Sequence, residues 1–220
     1  MPEKDEIIFK HIALEGVLKS GKTKLANVLA QKIGGKAIFD HAENPYIKDF
    51  YNEKEGAAFL AQLVFLVNRY HQQARLMQRD LFEERVICDY LFEKDKIYAY
   101  QTLNNDELVV YEKIFSLLSD RVAKPDLVIY LQISLPTLLK RIAKQGSALE
   151  KNISEKYLKD VLEAFDYFFF HYQAASLLVV KSDELDFDKE DDIDDLIEKI
   201  RHMNKSPLYY VPISKSNKSA

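Results

Sequence analysis

GVLKSGKT, residues 16–23, carries a glycine at each end of a four-residue gap and then Lys22 and Thr23. It completes the pattern G-x-x-x-x-G-K-[ST], and its flanks match: the apolar run IIFKHIAL precedes it and the amphipathic run KTKLANVLAQKI follows. A strand that feeds a tight turn opening a helix points backbone N–H groups and the positive helix end at phosphate oxygens. On this reading Gly16, Lys19, Ser20, Gly21, Lys22 and Thr23 cradle a nucleotide's phosphates. Lys22 neutralises the β and γ oxygens, and the Thr23 hydroxyl ligates Mg²⁺.

On either side of this loop, short β-rich runs alternate with longer helical patterns, which argues for βα units around a parallel sheet. The strands are expected at 7–14, 36–40, 85–89, 126–133 and 177–180. The run DLVIYLQI is apolar almost throughout, as a strand covered on both faces should be. Helices are expected at 22–33, about 56–82, 106–119, 136–144, 153–172 and 190–203. The fold class is therefore α/β, a P-loop domain with a parallel sheet of about five strands flanked by helices on both faces.

At 220 residues, 47% apolar and 30% charged, the chain is expected to form one domain. The net charge of −4 argues against a nucleic-acid polymer or an anionic membrane as partner. The single cysteine, Cys88, excludes an internal disulfide and a cysteine-based zinc site. With no apolar run near membrane-spanning length and a mixed-charge start, the cytosol is the expected location. Residues 181–198 hold ten acids against two lysines, and 204–220 hold three lysines and no acid, so a solvated helix face and a mobile tail from 206 are expected.

The loop alone does not identify the acceptor of a phosphoryl group. Glu43, before Asn44-Pro45, lies past the second strand, at the rim where open α/β sheets bind ligands, and a carboxylate there can accept a hydroxyl proton. Gln62 and Arg69, seven residues apart on the next helix, share nearly one face and can address a planar base edge. Phe39, Phe59 and Tyr98 are candidate walls for that base. FDYFFFHY at 165–172 reads as core or dimer interface, His11 as a satisfied structural histidine and Cys88 as inert packing.

Taken together with IALEGVLKSGKT, VICDYLFEKDKIYAY, KPDLVIYLQIS and LLVVKSDELDF, the segment from Glu43 to Tyr70 resembles the deoxyribonucleoside kinases over roughly residues 7–187. Within that family the segment resembles the bacterial deoxyadenosine/deoxyguanosine kinases. The resemblance implies transfer of the ATP γ-phosphoryl group, with Mg²⁺, to the 5′-hydroxyl of a deoxynucleoside, with a purine preferred. It implies Glu43 as general base, Tyr51 at the sugar, Gln62 and Arg69 at the base, and Glu150 of a lid (about 144–152) at the 3′-hydroxyl. It also implies Arg141 with Lys22 at the migrating phosphoryl group, Asp89 beside the substrate and, with Thr23, at the metal, and KSDELDF near the ATP adenine. A homodimer built on a helix bundle follows by the same route.

The sequence departs from the family pattern in three places. Tyr90-Leu91 stands where Arg-Ser usually follows the acid, Gln145 and Ser147 replace two lid arginines, and Lys19 replaces a small residue. Two other readings stay open: a nucleoside monophosphate kinase of the thymidylate kinase type, and a non-catalytic nucleotide-binding scaffold subunit.

Overall fold

The computed structural model describes residues 7–40, 43–77, 85–203 and 206–212. Its strands are β1 (His11–Glu15), β2 (Lys36–Ile38), β3 (Val86–Cys88), β4 (Leu127–Gln132), β5 (Ser176–Lys181) and β6 (Leu208–Tyr210). They form one sheet in the order β2-β3-β1-β4-β5-β6, parallel at every pairing. All five residues of β1 are buried, because helices cover both faces of the strand.

The register positions the chemistry. Cys88 of β3 lies opposite both Ala13 of β1 and Ile38 of β2. One residue past that row comes Asp89; two residues past it come Glu15 and Asp40. Three carboxylates from three adjacent strands therefore reach the same carboxyl-end rim, beside the point where strand order reverses.

The helices are α1 (Lys22–Ile33), α2 (Ile47–Tyr51), α3 (Ala57–Met77), α4 (Lys94–Thr102), α5 (Asn105–Ser119), α6 (Leu135–Gln145), α7 (Ala148–Lys151), α8 (Glu155–Phe170) and α9 (Glu190–Arg201). Leu25 and Leu29 of α1 pack with Leu196 and Ile197 of α9 against Ile12, Leu14 and Ile129 on one face of the sheet. On the other face Val128 and Tyr130 meet Leu138 of α6 and Phe165 of α8. Leu66, Ala99 and Tyr111 join α3, α4 and α5 in a separate cluster that frames the acceptor side. Helix α5 begins in a reciprocal cap between Asn104 and Glu107, and α6 in a Ser134 cap with Pro136 in its first turn.

Several expectations need correction. The sheet has six strands, since Leu208–Tyr210 pairs with β5 inside the segment expected to be a tail. Tyr210 holds it there: the ring is buried and the hydroxyl donates to Asp195 Oδ2 at 2.7 Å. Strand β1 starts later than 7 because the Lys10 and His11 amides donate to the Asp126 carboxylate, each at 2.9 Å. Helices α2, α4 and α7 are additional to the expected ones. The expected run of α3 to residue 82 and the lysines of the tail lie outside the described residues. Among the described residues, no helix is long and apolar enough to cross a membrane.

Candidate active site

Two glycines make the loop after β1 possible. A Cβ on Gly16 would stand 2.7 Å from the Leu131 carbonyl oxygen, and one on Gly21 (φ +106°) would strike the Phe187 ring at 2.4 Å. Within the loop Lys22 Nζ donates to the Gly16 and Val17 carbonyls, at 2.5 and 3.0 Å. Burial lowers its pKa to about 8, against the opposing pull of the Glu15 carboxylate 3.8 Å away. Glu15 is fully buried and accepts from the Gly16 amide at 2.9 Å and the Leu91 amide at 2.8 Å. It thereby ties the loop to the β3–α4 connection, a role its place in an apolar strand did not announce.

Beyond the loop lies a cleft of about 590 Å³ lined by Lys19, Lys22, Thr23, Arg141, Gln145 and Phe187. The KSDELDF segment forms its far wall, and Asp188 pairs with Lys24. Thr23 Oγ1 donates to Asp89 Oδ2 at 2.5 Å, and Asp89 Oδ1 accepts from the Asp40 amide at 2.6 Å. A chain of short contacts thus runs from the start of α1, across the ends of β3 and β2, into a second pocket.

That pocket, about 260 Å³, brings together Tyr51, Gln62, Arg69, Lys94, Asp95 and Tyr98, with Asp40 in its wall. Arg69 is its hub. Nε and Nη2 grip Asp40 in a fork at 2.9 and 2.7 Å, Nη1 donates to Asp95, and the guanidinium stacks 5.1 Å from the Phe65 ring. Lys94 Nζ donates to Asp40 Oδ2 at 2.8 Å. Although burial alone would raise it, Asp40 is held well below the ordinary carboxylate range by Lys94 and Arg69. Asp95 goes the other way, to about 6, because complete burial outweighs its cation partners. Among the described residues its Oδ2 is buried without a partner, while Gln62 Nε2 donates to Thr102 Oγ1 at 3.2 Å.

The expected site residues fall into three groups. Gly16, Lys19, Ser20, Gly21, Lys22, Thr23 and Asp89 lie at the loop, and Tyr51, Gln62 and Arg69 meet in the adjoining pocket. Glu150 stands between them: it caps α7 through the Ser147 amide at 2.6 Å and pairs with Lys19 at 3.0 Å, and its charge together with burial raises the Tyr51 pKa.

Two expected catalytic groups are engaged differently from the expectation: Glu43 lies outside both clefts, and Arg141 lines the first with its donors taken by the protein. Glu43 is exposed in an open groove beside Asn44, Pro45, Val64 and Asn68, outside the acceptor pocket. Asn44 sets that direction by turning inward, donating to the Ala61 carbonyl at 2.8 Å and accepting from the Tyr46 amide at 3.0 Å. Arg141 has both terminal nitrogens on protein oxygens: Nη1 reaches the Lys19 and Ser20 carbonyls and Ser182 Oγ, and Nη2 the Ser182 carbonyl. It braces the loop against the end of β5.

Tyr90 is buried, its hydroxyl accepting from Gln73 at 3.0 Å, within a seam that includes Cys88 and His11. Burial pushes the Cys88 thiol up to about 12 and lowers the His11 pKa. Of the candidate aromatic walls only Tyr98 lines the pocket; Phe39 is exposed and Phe59 packs with the α3–α5 cluster. Asp40, Lys94 and Asp95 were missed. The available signals were the acid closing β2 at the rim and a Lys-Asp pair at the start of a helix just past β3.

A model of the deoxynucleoside kinase family matches residues 12–205. A deoxyguanosine kinase of Bacillus subtilis is 38% identical over 182 residues, covering 80% of this chain and 88% of its own. A deoxyadenosine kinase of Lactobacillus acidophilus is 28% identical over 193 residues, covering 80% and 87%. Among solved structures, a deoxyadenosine kinase from M. mycoides, determined with dCMP and dCDP bound, superposes with a TM-score of 0.74 at 22% identity over 86% of this chain and 98% of its own.

Proposed function

The chain belongs to the deoxynucleoside kinase family, and from that premise we propose that it transfers the γ-phosphoryl group of ATP to the 5′-hydroxyl of a purine deoxyribonucleoside. The observation that carries this reading is the unbroken contact chain from Thr23 through Asp89 to Asp40, which joins the phosphate loop to a pocket of single-ligand size.

The triphosphate lies in the loop, and Lys22 leaves the Gly16 and Val17 carbonyls for its oxygens. Thr23 and Asp89 present two hard oxygens 2.5 Å apart at the phosphate end of α1. That small oxygen set suits Mg²⁺, which takes one or two protein ligands and fills the rest with phosphates and water. Bound there, the ion supplies charge neutralisation to the phosphates.

Asp40 takes the place expected for Glu43. Among the described residues its Oδ1 meets one partner, Arg69 Nε, and it retains a lone pair for the 5′-hydroxyl. A carboxylate held so acidic is a weak base. In a loose phosphoryl transition state little proton transfer is needed early, so Asp40 orients the hydroxyl and receives its proton late. At the far end, Asp95 Oδ2 accepts the adenine amino group or guanine N1–H, and Gln62 adds its amide. Tyr51 and Glu150 address the sugar. The exposed Tyr167 and Phe170 of α8 and Val110 and Leu117 of α5 supply the apolar surface for a homodimer.

Labelled ATP offered with the four deoxynucleosides, their ribo counterparts and dTMP tests the reading. Deoxyadenosine or deoxyguanosine is expected to be the best acceptor. Preferred transfer to dTMP, or none to any nucleoside, would refute it.

A further inference from the structure

The cations lining the two clefts differ in how fully the protein occupies them. Lys19 pairs with Glu150, Lys24 with Asp188, and Arg141 with backbone carbonyls and Ser182; Arg69 is shared between Asp40 and Asp95. Lys22 belongs to the phosphates. Lys94, like Lys19 and Lys24, meets one carboxylate among the described residues, Asp40 Oδ2, but of the three lysines it alone is buried, with two of its three donors left over.

Its placement is unusual for a lysine. Only 7% exposed, it is the first residue of α4, where the positive end of the helix disfavours a cation. Local propensity would leave it in solvent, yet the side chain turns in to the wall of the acceptor pocket. There it stands at the far end of the contact chain Thr23–Asp89–Asp40 from the loop that carries Lys22. Two ammonium groups on either side of a gap repel each other until an anion lies between them.

We propose that Lys94 is a catalytic residue, the acceptor-side cation that grips the migrating phosphoryl group opposite Lys22 while it holds its contact with Asp40 Oδ2. The inference rests on the phosphotransfer reading above. In the step, the nucleoside O5′ forms its bond to Pγ as the bond from Pγ to the β–γ bridging oxygen breaks. ADP leaves with that oxygen's electron pair, and the 5′-hydroxyl proton passes to Asp40. Lys94 stays protonated throughout. As the phosphoryl group moves toward O5′ its equatorial oxygens approach Lys94, so the contact is stronger in transfer than in either ground state.

The test compares Lys94→Met, Lys94→Arg and Lys94→Cys with wild type, using kcat for the best deoxynucleoside and calorimetric Kd values for ATP and the nucleoside. Lys94→Met is expected to lose about 10² to 10³ in kcat, with both Kd values within about threefold. Lys94→Arg, which keeps the charge, is expected within about tenfold of wild type. Alkylating Lys94→Cys with 2-bromoethylamine rebuilds an ammonium of lysine length. It should recover at least about tenfold of the lost kcat, while wild type is unaffected because its one thiol, Cys88, is buried and held at about 12. Retention of kcat within about threefold in Lys94→Met, or a loss confined to Kd or Tm that alkylation does not reverse, overturns the assignment. If wild type phosphorylates no nucleoside, the reaction reading fails and this inference with it.

Discussion

The phosphate loop and the acceptor pocket meet at Asp89 but are built in opposite ways. The loop comes from eight consecutive residues, and its anion-binding groups are chiefly backbone amides, which any sequence with the right glycines can present. The pocket draws side chains from the end of β2, from α2, from α3 and from α4, and its charges are two carboxylates and two cations in mutual contact. One is a local solution to binding charge, tolerant of the residues between its glycines. The other is a buried network in which loss of one partner leaves another uncompensated.

Three substitutions and a titration separate the two regions, in descending order of expected effect. Lys22→Ala removes the central counter-charge of the loop and is expected to lower kcat/KM by about 10³ or more, with the far-ultraviolet circular dichroism unchanged. Unchanged turnover would mean the loop is not the donor site. Asp95→Asn removes the charge and turns one of the two acceptor oxygens into a donor, and purine kcat/KM is expected to fall about tenfold to a hundredfold, mainly through KM. A loss equal for all nucleosides, carried by kcat, would place Asp95 away from the base.

Between pH 7 and pH 9, above the titration of the terminal phosphate, the pH dependence of ATP binding reports Lys22. Its pKa of about 8 in the free protein rises when phosphates replace the carbonyls, so binding takes up a proton. ATP affinity should fall about tenfold across that window as the free lysine loses its charge. Calorimetry in two buffers of different ionisation enthalpy measures the uptake, and its absence above pH 8 would contradict the shifted lysine. Arg141→Ala has the smallest expected effect on chemistry. Because its guanidinium binds backbone carbonyls, kcat should change by no more than about threefold while Tm falls. A drop in kcat of about 10² without loss of Tm would return Arg141 to the migrating phosphoryl group.

Legibility in the sequence follows the same division. GVLKSGKT, the bounds of α1 and the apolar central strands were readable because each depends on neighbours along the chain. Three-residue β6 was not, since its place is fixed by Tyr210 reaching Asp195 rather than by its own pattern. Gln62 and Arg69 could be paired by helical spacing, and the structure does place them in one pocket. What spacing could not give was the partner of Arg69: Asp40 lies 29 positions away and meets it only through the β2–β3–β1 register. Glu43 drew attention as the acid before a proline. Its direction depends on Asn44 turning inward, which sequence alone does not display. Lys94 and Asp95 sit in the charged run EKDK, whose sequence does not distinguish them from solvated neighbours, and packing of α4 against α3 buries them.

The claim that Asp40 is the acceptor carboxylate is tested most directly by measuring kcat and nucleoside Kd for Asp40→Asn and Glu43→Gln side by side, with Tm as a check on folding and Asp40→Glu as a charge-preserving control. Asp40→Asn is expected to lose about 10² or more in kcat, Asp40→Glu to retain part of that rate, and Glu43→Gln to stay within about twofold of wild type. A loss of about 10² in Glu43→Gln with Asp40→Asn still active would contradict the account and move the acceptor hydroxyl to the outer groove.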